Sequence, residues 1–192
     1  MSTVKLKEIA SLNIGYPFRT SVDRDPQGTL GVIQMKDITE YNQIDLSDVY
    51  RVRIKNLSKR HLLQQGDILF RAKGVSNTAT LITQDIGDCV ASAHLTVIRV
   101  NTSKVDPAYV VWYINHPHGQ YKLSRFSKGT SLQMVSNAEL GELKLDLPPL
   151  EKQSAIAKIA TLSQREQEFI AKLAQKRQEY IDLVLMQQAK GK

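Results

Sequence analysis

Few groups of side chains in this chain have the types and spacing that chemistry requires. Glu142-Leu143-Lys144, with Asp106 upstream, has the composition of a metal-dependent nuclease site. Three-residue matches of that kind arise easily by chance, and Lys144 is expected to alternate outward on a strand. Leu147-Pro148-Pro149-Leu150 looks like the loop of an adenine methyltransferase. Its first leucine supplies no acceptor for a target amino group, its last no stacking surface, and no glycine-rich cofactor loop accompanies it. His116-Pro117-His118 pairs two metal-ligand types, but no cysteine or acid stands nearby. The proline places that pair at a helix end, where a cap or loop role is expected. His94, in an expected strand, and His61, in an expected short helix, read as structural. No serine or cysteine has a recognisable local base, so no catalytic residue, cofactor or metal is expected.

What remains is charge. Lys and Arg number 26 against 19 Asp and Glu, a formal net charge of +7, which attracts polyanions without naming one. Up to Pro149 there are 18 basic and 14 acidic residues, and beyond it 8 and 5, so the excess is not confined to a tail. The densest basic run is Arg51, Arg53, Lys55, Lys59 and Arg60. Alternation with Tyr50, Val52 and Ile54 would put its first three cations on one strand face, either toward a phosphate backbone or simply toward water.

The elements that must position these groups change style at Leu147-Pro148-Pro149-Leu150-Glu151-Lys152-Gln153. Before it, short apolar segments alternate with turn residues, as expected of a mixed α+β domain over residues 1–148. Expected strands include Leu30 to Met35, Val49 to Ile54, Asp67 to Phe70 and His94 to Val100, with a last half-buried strand marked by Leu143, Leu145 and Leu147. Asp106 followed by Pro107 reads as an N-cap with proline in the first turn, and Ser136 with Glu139 as a capping box. A domain of about 150 residues can bury a sufficient core without staples, and the single cysteine, Cys89, is expected to be a buried thiol in a reducing compartment. No apolar run approaches the roughly 20 residues of a membrane span, and the opening lacks the apolar core of a signal peptide. A cytoplasmic protein without membrane contact is expected.

After that point there is neither Gly nor Pro until Gly191, and helix formers dominate. One long helix is expected over residues 149–189, with 190–192 as a tail. At about 1.5 Å per residue its central stretch would run roughly 57 Å, too long to lie against one small domain. Ile156, Ile159, Leu162, Phe169, Leu173, Tyr180 and Val184 recur at heptad-like spacing, with mixed charges between them. The stripe calls for a partner helix. The plainer alternative is a helix folded back on its own domain.

Six motifs, in order over nearly the whole length, carry a resemblance. They are Gly15-Tyr16-Pro17-Phe18-Arg19, Ile33-Gln34-Met35-Lys36-Asp37-Ile38, and Gly66-Asp67-Ile68-Leu69-Phe70 with Gly74 shortly after. Asp106-Pro107-Ala108-Tyr109-Val110, Lys128-Gly129-Thr130, and Leu147 to Gln153 leading into Ile156 complete the set. Together they resemble the specificity subunits of type I restriction-modification systems, or more closely one half of such a subunit: one target recognition domain and one conserved-region helix. The resemblance implies a non-catalytic subunit that reads double-stranded DNA while methyltransferase (modification) subunits and a motor-nuclease (restriction) subunit do the chemistry. Family members usually hold two recognition domains and two helices, so this is a half-length form, natural or cut down. A second copy could supply the missing half, the helices packing antiparallel in a homodimer that reads a bipartite inverted site.

On that reading, phosphate contacts need cations or donors on exposed loops, and base reading needs forked or amide side chains. Arg19 and Arg24 lie in the loop from Gly15, and Lys36 in the second motif. Arg71, Lys73 and Gly74 follow a strand end, where glycine lets backbone approach a phosphate. Arg125, Lys128, Gly129, Thr130, Ser131 and Gln133 form a further cluster of cations, hydroxyls and an amide. A coiled-coil interaction or assembly module without specific DNA binding is the competing reading, and a direct enzyme a distant third.

Overall fold

The computed structural model describes residues 2–74, 77–126 and 133–191. Its head is α+β, built on two sheets. A four-stranded antiparallel sheet runs in the order β2 (Ala10–Ile14), β9 (Leu95–Val100), β5 (Ile68–Arg71), β7 (Ala79–Leu81). A three-stranded sheet runs β4 (Tyr50–Val52), β3 (Leu30–Ile33), β8 (Cys89–Ala91), with β3 antiparallel to β4 and parallel to β8. Two small pairs close the ends. β1 (Ser2–Lys5) lies antiparallel to β11 (Lys144–Leu147), and β6 (Lys73–Gly74) to β10 (Gln133–Met134).

The central strand β5 explains why Ile68-Leu69-Phe70 reads as an unbroken apolar run. Successive side chains point to opposite faces, and both faces are covered. Ile68 and Phe70 join Ile98 in the larger core with Leu6, Ile9, Tyr109, Val110, Ile114, Leu140 and Leu143. Leu69 points the other way, with Leu95 and Val97, into a second core against Ile33, Cys89 and Ala91 of the three-stranded sheet. Asp67 and Arg99 tie the edge of this layer. The Arg99 guanidinium donates to both Asp67 carboxylate oxygens at 2.6 Å and to the Leu62 carbonyl at 3.0 Å, while the Asp67 side chain is buried.

Helices α1 (Leu6–Ile9), α2 (Pro107–Asn115), α3 (Pro117–Ser124) and α4 (Asn137–Gly141) surround the sheets; the larger core draws on all four. The caps fall where local residues indicate them. The Asp106 carboxylate accepts from the Ala108 N–H at 2.8 Å, and Ser136 with Glu139 forms a complete capping box. His116 ends α2 and starts α3, its Nδ1 accepting from the His118 N–H at 3.2 Å.

Strand ends depart from the sequence reading. β3 stops at Ile33 rather than Met35, because Met35–Asp37 forms a 3-10 turn in which the Asp37 carboxylate accepts from the Gln34 N–H at 2.8 Å. β4 covers only Tyr50–Val52 of the expected Val49 to Ile54, and His94 sits in a turn before β9. Cys89 is buried, and burial raises its thiol pKa.

From the head projects α5 (Leu150–Ala189), 40 residues and about 60 Å long. Its root is locked. The Gln153 side chain, 1% exposed, accepts from the Asp106 N–H at 3.0 Å and donates to the Pro148 carbonyl at 2.7 Å, and Ala157 is buried beside it. Farther along, Gln43 donates to the Glu168 carboxylate at 2.8 Å and Gln164 to the Tyr41 carbonyl. Ala157, Thr161, Gln164 and Glu168 share one helix face, so roughly the first half of α5 lies along its own head. The helix is therefore not folded back on its head throughout. Among the described residues no helix is long and apolar enough to cross a membrane.

Candidate nucleic-acid interface

The loop between β2 and β3 carries Arg19 and Arg24, both exposed. Its entry needs a glycine: a Cβ on Gly15 would lie 2.1 Å from the Ser92 carbonyl oxygen. Arg24 then meets Lys36, from the turn after β3, around two residues that sequence reasoning missed. The Arg24 guanidinium bonds one carboxylate oxygen of Asp48, while the Lys36 ammonium stands 3.6 Å from the other and donates to the Asp48 carbonyl at 3.2 Å. Both cations sit over the Tyr50 ring, 4.5 and 4.1 Å from its centroid. Tyr50 appears in the sequence only as an apolar neighbour of Arg51, and Asp48 as one acid in a polar loop.

The electrostatics follow from these contacts. Asp48 holds Arg24 above its ordinary pKa, and Arg24, then Lys36, hold the Asp48 carboxyl below the usual range. Lys36 is raised first by Asp37, whose carboxylate accepts from it at 2.7 Å. Arg24, Lys36 and Asp48 remain charged at neutral pH.

Arg71 points inward. Its guanidinium donates to the Ile38 and Thr39 carbonyls at 2.5 and 3.3 Å, pinning the segment that follows Lys36, and burial lowers its pKa. Lys73 is exposed on β6. Gly74 has a φ of +132°, a conformation that side chains rarely adopt. A Cβ there would lie 3.4 Å from the Met35 methyl, beside Lys36 in the chain. β6 pairs with β10, setting Gln133 opposite Gly74 and Met134 opposite Lys73. The structure thus brings the Lys36, Arg71 to Gly74 and Gln133 segments to one side of the head. Arg125 is exposed at the C-terminal end of α3, and Arg19 stands in its own bend; neither makes an ion pair among the described residues. Lys128, Gly129, Thr130 and Ser131 lie outside the described residues.

Two cations of the basic run after Tyr50 are held within the head. Arg51 donates to the Thr29 carbonyl at 3.0 Å and Arg53 to the Asp25 carboxylate at 2.8 Å, which closes the loop before β3. Among the described residues no cluster of three or more His, Cys, Asp or Glu is arranged to hold a metal ion.

On α5 the expected stripe divides. Ile156 packs against the larger core of the head, and Val184 is partly covered. Ile159, Leu162, Phe169, Leu173 and Tyr180 are 56–71% exposed. Phe169 borders the groove between α5 and the head, and the other four lie on the face turned away from Ala157, Thr161, Gln164 and Glu168.

Known proteins share this chain's sequence pattern and fold. The family model of the type I restriction modification DNA specificity domain matches residues 1–179. A putative type I restriction enzyme specificity subunit of Methanocaldococcus jannaschii is 30% identical over 151 residues, 76% of this chain and 32% of that protein. Among solved structures, the HsdS subunit of Thermoanaerobacter tengcongensis superposes with a TM-score of 0.64 at 22% identity, covering 88% of this chain and 43% of that one. A chain from a structure describing complex assembly and conformational transition of the type I restriction-modification system gives a TM-score of 0.70 at 19% identity, covering 93% and 46%. At those identities the superpositions speak for the fold. The chain spans about a third of the curated relative and less than half of the solved chains. With the family match running from the first residue well into α5, the chain belongs to the type I restriction-modification DNA specificity domain family.

Proposed function

We propose that the chain reads double-stranded DNA for a type I restriction-modification complex, as a non-catalytic subunit. Its head contacts duplex through the side carrying Arg24, Lys36, Lys73, Gly74 and Gln133, and Arg19, Arg125, Lys128, Gly129, Thr130 and Ser131 are further candidate contacts. Arg71 serves from behind by holding the loop after Lys36. Two copies join through α5, which sets the distance between heads and suits a bipartite inverted site. The same assembly docks methyltransferase and motor-nuclease subunits.

The observation that carries the dimer is the row of large apolar side chains, Ile159 through Tyr180, left exposed along α5. Such a row covers more apolar surface than a monomeric helix normally exposes. Joining two weakly binding heads makes the second contact intramolecular and raises apparent affinity. Light scattering combined with duplex titration tests this: a dimer with salt-sensitive duplex binding is expected. Because the stripe alone would equally suit an assembly module, a verified dimer that retains no duplex would select that second reading.

A further inference from the structure

The Arg24, Lys36, Asp48 and Tyr50 cluster has an arrangement that simple surface charge does not require. Lys36 has a second carboxylate partner besides Asp48. Its ammonium is held at 2.7 Å by Asp37, a buried carboxylate that is itself held by the Gln34 N–H. The Tyr50 ring supports both cations at 4.5 and 4.1 Å. The anion between them is the most exposed member, the Asp48 side chain being 65% accessible against 56% for Arg24 and 41% for Lys36. One carboxylate oxygen faces each cation. The two non-bridging oxygens of a phosphodiester present the same pair of acceptors with the same sign of charge.

We infer that Arg24 and Lys36 form a phosphate seat over Tyr50, and that Asp48 is its built-in competitor, filling the seat in the free head and yielding it to the DNA backbone. The inference rests on the DNA-recognition reading and deepens it. Surface ion pairs are weak and readily exchanged, so the carboxylate can leave without unfolding the loop. While present, it penalises every duplex that offers phosphates but too few other contacts. Binding to random sequence rests almost entirely on phosphates, and a competing anion at the seat is a repulsive device of the kind that specificity requires.

The experiment compares duplex affinity of the full chain with Asp48→Asn, with Asp85→Asn as a remote change of equal charge, and with both Arg24→Ala and Arg24→Ala/Asp48→Asn. The expected result is a roughly threefold to fivefold gain for Asp48→Asn on random duplex, a smaller gain for Asp85→Asn, and, once Arg24 is alanine, a gain from Asp48→Asn that falls toward that of Asp85→Asn. Equal gains from Asp48→Asn and Asp85→Asn, or weaker binding by Asp48→Asn, would overturn the competitor while leaving the recognition reading intact. A wild-type dimer that binds no duplex would overturn both.

Discussion

The Gln153 side chain accepts a hydrogen bond from the Asp106 N–H at 3.0 Å, joining the root of α5 to the start of α2 across 47 residues of sequence. The same amide donates to the Pro148 carbonyl at 2.7 Å. Two of the six motifs, Asp106 to Val110 and Leu147 to Gln153, are therefore two sides of one joint. It fixes the direction in which the helix leaves the head. A rigid joint is what a helix must have if it is to hold two heads at a set separation.

Breaking that joint has a defined cost. Gln153→Leu should leave the Asp106 N–H and the Pro148 carbonyl buried without partners, lowering stability by about 2–4 kcal/mol. Denaturant unfolding should show a lower midpoint at an unchanged slope. A loss below about 0.5 kcal/mol, the ordinary range of surface substitutions, would mean the amide is not what secures the root.

Asp67 and Arg99 should behave as a coupled unit. Arg99→Ala strands a buried carboxylate and is expected to cost about 3–5 kcal/mol. Replacing both by apolar residues of similar volume should cost clearly less than the sum of the single changes. Additive losses in a double-mutant cycle would contradict the pairing.

These two ion and hydrogen-bond networks mark how far the sequence could be read. Asp106-Pro107 and Ser136 with Glu139 were legible because a cap is made within three residues of itself. The end of β3 was not, because Asp37 turns back on Gln34 where the alternation of Ile33, Gln34 and Met35 looks like continued strand. Gln153 gave no local sign, since its partners are fixed only by the fold. The basic loops were legible as loops, but not the pairing of β6 with β10 or the meeting of Arg24 and Lys36 at Asp48. Ile156 fitted a heptad by spacing alone, and packing assigns it to the head.

Acid should loosen the hold on the N-terminal strand. Lys5 and Lys7 hold the Glu142 carboxyl down at about 2, from an ordinary value of 4.5. A carboxylate with a depressed folded pKa contributes stability that is present above its unfolded value and is lost as pH falls through the folded one. The contribution of these pairs should therefore fade between about pH 4.5 and 2. A carbon-detected titration of Glu142 checks this. Lys5→Gln/Lys7→Gln should move its midpoint up toward 4.5, and an unmoved midpoint would contradict the assignment.

The α5 stripe should separate assembly from folding. Phe169→Lys/Leu173→Lys should give a monomer by light scattering, with the head melting as in the parent because both side chains are exposed. Apparent duplex affinity should fall by about 100-fold, at the lower end of the gain that linking two sites provides. A dimer that survives both charges would place the interface elsewhere.

Whether this chain reads sequence as a two-headed particle is tested most directly by selecting bound duplexes from a random pool with the verified dimer. The proposed function predicts enrichment of an interrupted inverted repeat, its two halves at a constant spacing. A pool that stays random after repeated rounds, or that yields a single uninterrupted half-site, would contradict it.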